Sequence, residues 1–181
     1  MSPNSSTPSA RRGKGPGILE ALVALSILVS LSGVLMPAVG EQVAEARVSQ
    51  ADKDMIDIAQ GLAHYTRDTR FLPTGVQGRT DVAWMYGPGE LPSGELFGAS
   101  RESRPLADAL SSDRLGGSAW AGPYTEGLTA DPWGHAYLVN VDGWVNAREH
   151  AVVASAGPDG LLETPPTASA PAGDDLLYVM D

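Results

Sequence analysis

Cysteine is absent, so the chain can form no disulfide, no thiolate metal centre and no cysteine nucleophile. Basic residues are scarce as well. Only 12 Lys and Arg stand against 22 Asp and Glu, giving a formal charge of −10. A surface so acidic has nothing to offset repulsion from phosphate, which excludes a nucleic-acid footprint. The histidines are few, and His64, His135 and His150 do not fall at metal-ligand spacing. No Gly-x-Ser-x-Gly elbow, Gly-rich phosphate loop or paired-Glu motif occurs. What is plentiful is Gly (21) and Pro (14), which points to a small domain rich in turns and not dominated by helix.

The apolar content is concentrated at one end. Residues 1–15 are polar, rich in Ser and Pro, and close on Arg11, Arg12 and Lys14, after which Ile18 to Val39 is almost wholly apolar. That run of about 22 residues is roughly what a helix needs to cross a bilayer, and the cations before it keep the leader on the cytoplasmic side. A secretory signal peptide or a plain single-span anchor would share the basic head and apolar middle. The first fits poorly, because no Ala-x-Ala type site follows the run and the helical pattern continues beyond it. Glu20 distinguishes a third reading. A carboxylate near the start of an apolar span costs a few kcal/mol in hydrocarbon and implies a partner, unless it snorkels to the headgroups.

Gly15, Glu20 and Pro37 together resemble the type IV prepilins, which are cut after a Gly, carry Glu five residues beyond the cut, and often have Pro at the twenty-second place. The resemblance implies cleavage by a prepilin peptidase between Gly15 and Pro16, with methylation of the new terminus. It departs from the family at Pro16, where a large apolar residue is usual. A cut after Gly17 is the alternative, but it would lose the register with Glu20 and Pro37. Loss of Arg11, Arg12 and Lys14 takes the formal charge from −10 to −13.

From Glu41 to Arg70 there is no Pro and one Gly, and Val48, Met55, Ile58, Ala59, Leu62 and Tyr65 recur at helical spacing as a core-facing stripe. The helix is expected to run from Ile18 to about Arg70 and to end at Phe71-Leu72-Pro73, since Pro73 disfavours helical geometry at Leu72. Residues 75–119 read as a variable connection in which Trp84, Met85 and Tyr86 dock the loop and a short helix covers Leu106 to Asp113. Asp131-Pro132-Trp133-Gly134 is a turn by composition. A strand over Ala136–Val141, a turn at Asp142-Gly143, and strands near Ala151–Ser155 and Leu176–Met180 follow.

The Asp-Pro-Trp-Gly turn with these strands resembles the major pseudopilin of type II secretion. That family implies an α+β, pilin-like lollipop: a long N-terminal helix packed on a small antiparallel sheet with a C-terminal loop. The expected organisation is a leader over 1–15, a transmembrane and assembly helix over 16–39, its amphipathic half over 40–71, a variable loop over 72–121, and the sheet with its loop over 122–181. In that family a Ser-x-Gly-x-Asp-Gly segment and a later acidic pair surround Ca2+. Carried onto this chain, Asp159, Asp174 and Asp175 would supply carboxylates, Ser155 a hydroxyl and Ala156 a main-chain carbonyl. The spacer Leu161–Ala172 is longer than the family loop, which leaves Glu163 as a substitute. The plain alternative is a turn at Asp159-Gly160 and an acidic pair flanking a strand.

The resemblance further implies a non-enzymatic subunit of a periplasmic pseudopilus, single-pass in the inner membrane until assembled. Its partners would be membrane lipid, copies of itself, minor pseudopilins, the prepilin peptidase and the assembly platform. A type IV pilus pilin or minor pilin is the alternative within the class, and a membrane-anchored periplasmic enzyme is the distant one.

Overall fold

The computed structural model describes residues 17–70, 72–73, 82–94, 102–114, 119–141, 150–165 and 168–180, with side chains 28–39, 82–83 and 102 also outside the description. The leader with Gly15 and Pro16, and the turn expected at Asp142-Gly143, therefore lie outside it. The chain divides into two compact units, residues 1–43 and 44–181.

Helix α1, Ile18–Thr69, passes through both units. In the first, Gly17 stands just before it, and the Gly17 N–H donates to Glu20 Oε2 at 3.0 Å. This is the reach-back half of a capping box, and it places a negative charge where the helix dipole favours one. Ile18, Leu19, Leu22, Val23, Leu25 and Ile27 are all more than half exposed. Pro37 sits within α1, its side chain outside the description. Among the described residues no helix is long and apolar enough to cross a membrane; the second half of the expected span, residues 28–39, falls on side chains that are not described.

In the second unit, Ala51, Met55, Ile58, Ala59, Leu62 and Tyr65 form the buried stripe of α1. Their spacing of three and four keeps them on one face. Val48, expected on that stripe, is 38% exposed, and Ala51 is buried in its stead. The helix ends with Arg70 in the left-handed region (φ 60°) and its N–H on the Thr66 carbonyl, just ahead of Pro73.

The other elements are β1 Val82–Tyr86, β2 Glu102–Pro105, α2 Ala107–Leu110, β3 Leu138–Asn140, β4 Ala151–Ser155 and β5 Leu176–Met180. They form one five-stranded sheet in the order β2-β1-β3-β4-β5. The sheet is mixed and not antiparallel throughout as expected, because β1 pairs with β2 in parallel while the other pairs are antiparallel. The segment read as a variable loop thus supplies two strands, and Trp84, Met85 and Tyr86 belong to an interior strand between β2 and β3. The short helix is confined to Ala107–Leu110.

Each face of the sheet has its own core. Met85, Val139, Ala151 and Val153 join the stripe of α1, whereas Trp84, Leu138 and Ala154 pack with Ala156 and Leu162 on the other side. Strands covered on both faces carry continuous apolar runs and not alternation. Every residue of β3 and β4 is buried accordingly. Tyr137, ahead of β3, reaches back to α1: its hydroxyl donates to Asp54 Oδ2 at 3.1 Å. Burial and the Asp54 carboxylate together push the phenol far above its ordinary pKa.

Leu62 is fully buried in the α1 core, so Leu62→Ala is expected to cost about 2–5 kcal/mol of unfolding free energy. Val48→Ala, on the exposed side, should change it by no more than about 0.5 kcal/mol. Denaturant unfolding of the full chain in detergent micelles checks both, and equal losses would contradict the stripe.

Candidate functional site: the acidic loop and the turn beneath it

The chain leaves β4 at Ser155, turns through Gly157–Gly160, and returns past Gly173 and Asp174 into β5. The side chains singled out in the sequence lie along these two passes, and they are not equivalent. Asp159 and Asp174 are exposed and adjacent: the Asp159 N–H donates to Asp174 Oδ2 at 3.4 Å, a long contact, while Asp159 Oδ1 accepts from the Leu161 N–H at 2.8 Å. Asp175 is 3% exposed. Its Oδ2 accepts the N–H groups of Glu163 (2.9 Å) and Thr164 (2.6 Å), whereas its Oδ1 is buried with no hydrogen-bond partner. A buried carboxylate oxygen without a donor is costly, and in a native loop it asks for one. The Glu163 carboxylate lies directly against Gly173. Ala156 is fully buried in the core behind the sheet.

Ser155 is fully buried and faces the other way. Its hydroxyl donates to Asp131 Oδ2 at 2.6 Å, and its oxygen accepts the Gly157 N–H at 3.2 Å. Asp131, 4% exposed, uses its second oxygen to close its own turn, Oδ1 accepting from the N–H groups of Trp133 (3.0 Å) and His135 (2.8 Å). Gly134, at φ 101°, supplies the backbone geometry that an L side chain resists at that point. His135 Nδ1 lies 3.1 Å from the Gly157 carbonyl. Since that partner only accepts, Nδ1 carries the proton.

Ser155, Asp131 and His135 are therefore neighbours without being a nucleophilic triad. The serine hydroxyl bonds the carboxylate and not the imidazole, and it is closed off from solvent, so nothing activates it. His64 and His150 are exposed, on α1 and just ahead of β4. Among the described residues no three His, Asp or Glu side chains are gathered as a set that would hold a metal ion. The Asp131–Ser155 bond is invisible in the sequence, where Asp131 reads only as a turn residue. It joins positions 24 residues apart, and no local spacing announces it.

Processing residues Gly15 and Pro16 lie outside the described residues. Glu20 is exposed in the first turn of α1, paired with the N–H of Gly17.

A separate cavity of about 300 Å3 opens between α1 and the Tyr124–Thr129 loop, lined by Asp54, Asp57, His64 and Glu126 among others. No sequence motif marks it.

The family model described as type II secretion system (T2SS), protein G, matches residues 102–169, from β2 through the Asp131 turn into the acidic loop. The type II secretion system core protein G of Escherichia coli (strain K12) is 27% identical over 153 residues, covering 83% of this chain and 86% of that protein. No solved structure matches the chain. The family model runs through the Asp131 turn and the first pass of the acidic loop, and the curated relative extends over most of the length; both findings agree that the chain is similar to protein G of type II secretion systems.

Proposed function

We propose that the chain is a structural subunit of a periplasmic filament, cut by a prepilin peptidase after Gly15, held in the inner membrane by residues 16–39, and then packed with copies of itself and minor subunits on an assembly platform. The observation that carries this reading is the first turns of α1. Six large apolar side chains between Ile18 and Ile27 are more than half exposed, and the one carboxylate among them is Glu20. An apolar surface of that kind needs lipid or other helices to cover it. Exchange of the Gly17 contact for the new terminus of a neighbouring copy would then select the filament register, because an unpaired carboxylate is expensive in a low-dielectric core.

Ca2+ is part of the same reading. The orphaned Asp175 Oδ1, the exposed carboxylates of Asp159 and Asp174, and Glu163 against Gly173 are hard oxygen donors on one loop. They suit a cation that takes six to eight oxygens in a flexible shell. The Ala156 carbonyl would add a main-chain oxygen, whereas the Ser155 hydroxyl already serves Asp131. Asp159 and Asp174 are already neighbours, and the cation would draw the remaining carboxylates to them and order the loop, its charge offsetting their repulsion.

Glu20→Ala should insert into membranes at least as well as the parent, because it removes a carboxylate from the apolar stretch, while ordered filaments fail to form. Membrane fractionation beside electron microscopy of cells carrying the secretion machinery reads both effects, and filament yield equal to the parent's would refute the pairing. Ca2+ should stabilise the full chain in micelles by RT ln(1 + [L]/Kd), about 2.7 kcal/mol at a hundredfold excess, with Mg2+ a poor substitute. Thermal melts in chelator and in millimolar calcium chloride test this, and coincident melting temperatures would refute it.

A further inference from the structure

The acidic loop is not part of the sheet, and its two passes need some other support. Four hydrogen bonds tie its first turn to one carboxylate, while Ser93 holds the turn separately, its N–H on the Gly160 carbonyl at 2.9 Å and its carbonyl accepting the Leu162 N–H at 2.8 Å. Asp131 Oδ2 holds the Ser155 hydroxyl at 2.6 Å, and the Ser155 oxygen accepts the Gly157 N–H at 3.2 Å. His135, whose own N–H is fixed by Asp131 Oδ1 at 2.8 Å, donates from Nδ1 to the Gly157 carbonyl at 3.1 Å. The same imidazole lies so close under Gly160 that a β-carbon there would stand 2.6 Å from Nε2. Gly157 has φ 62° and abuts the Asp174 carbonyl so tightly that no side chain fits between them. A continuous path thus runs from Asp131 through Ser155 and Gly157 to Asp174, and through His135 to the turn bearing Asp159.

From this geometry we infer that Asp131, in the Asp-Pro-Trp-Gly turn, is the positioning residue of the acidic loop, acting through Ser155 and His135 to set the spacing of Asp159 and Asp174 for a divalent cation. Asp131 is not itself a ligand, since both its oxygens are committed and it is 4% exposed. It works one layer behind the donors. Outer-layer partners of this kind orient ligands and carry a large share of metal affinity. The ligand in this inference rests on the Ca2+ reading above; the positioning of the loop does not.

Asp131→Asn is the near-isosteric probe. The amide nitrogen donates where a carboxylate oxygen accepted, so the Ser155 hydroxyl, already accepting from Gly157, is left with a proton and no acceptor. The experiment compares the parent, Asp131→Asn, Ser155→Ala and the double variant as full chains in detergent micelles, with Asp54→Asn as a remote control. Two quantities are read: amide hydrogen exchange in residues 157–165 against that in β4 and β5, and the calcium chloride concentration giving half of the full rise in melting temperature.

In both single variants exchange at 157–165 should quicken about tenfold or more, with the sheet unchanged. The calcium midpoint should rise about tenfold to a hundredfold, with the double variant no worse than the singles, since both cut the same path. Loop exchange equal to the parent's, loosening shared equally by the sheet, or an unmoved calcium midpoint beside a loosened loop would overturn the inference. A parent that does not respond to calcium refutes the Ca2+ reading instead, and the exchange arm alone then decides whether Asp131 positions the loop. Should Asp131→Asn not fold, Ser155→Ala is read in the same two ways, and the same results support or overturn the inference.

Discussion

The contact on which the second unit depends is the stripe that α1 lays against the sheet, from Ala51 to Tyr65. The strands are three to five residues long, and a sheet of such short strands needs a packed face to stand in water. Each large apolar side chain fully buried there contributes about 1.5–3 kcal/mol. Tyr137 adds a polar tie at the rim: its hydroxyl holds Asp54, whose other oxygen takes the Gln50 amide at 2.6 Å. With α1 covering one face, the other is left for the segment after β4. Ala156 and Leu162 close over Trp84, Leu138 and Ala154, and so the acidic loop sits beside a second core. The Asp131 turn then fastens that loop at Ser155.

What is legible in the sequence follows from the range of the interactions involved. The end of α1 at Thr69, one residue from the expected Arg70, rests on a local rule about the residue before Pro73. The strands at Ala151–Ser155 and Leu176–Met180 have the expected bounds because each is an apolar run between turn residues. The parallel pairing of β1 with β2 is not legible. Glu102-Ser103-Arg104-Pro105 has no apolar alternation, being an edge strand closed by a proline that needs no ladder donor. Without a visible β2, the run Val82–Tyr86 reads as a docked loop. Spacing alone puts Val48 on the core stripe, and only tertiary packing decides that Ala51 is covered instead.

The site divides along the same line. Asp159, Asp174 and Asp175 stand out by resemblance, and the first two are indeed neighbours across the loop. That Asp175 turns one oxygen to Glu163 and Thr164 and leaves the other without a donor depends on a loop geometry no spacing encodes. Ser155 shows the difference most plainly. Resemblance aims its hydroxyl at a cation, but the fold turns that hydroxyl inward to Asp131. The first turns of α1 are the most legible of all, because an apolar run preceded by three cations and carrying a single Glu is a one-dimensional pattern.

Filament assembly, in the proposed account, begins with the cut that leaves Glu20 fifth from a new amino terminus. The intact mass of the protein extracted from membranes of cells with an active prepilin peptidase tests it most directly. The account predicts a chain that begins at Pro16, with or without a methyl group on its terminus. A chain that still begins at Met1, or one that begins at Ile18, would contradict it.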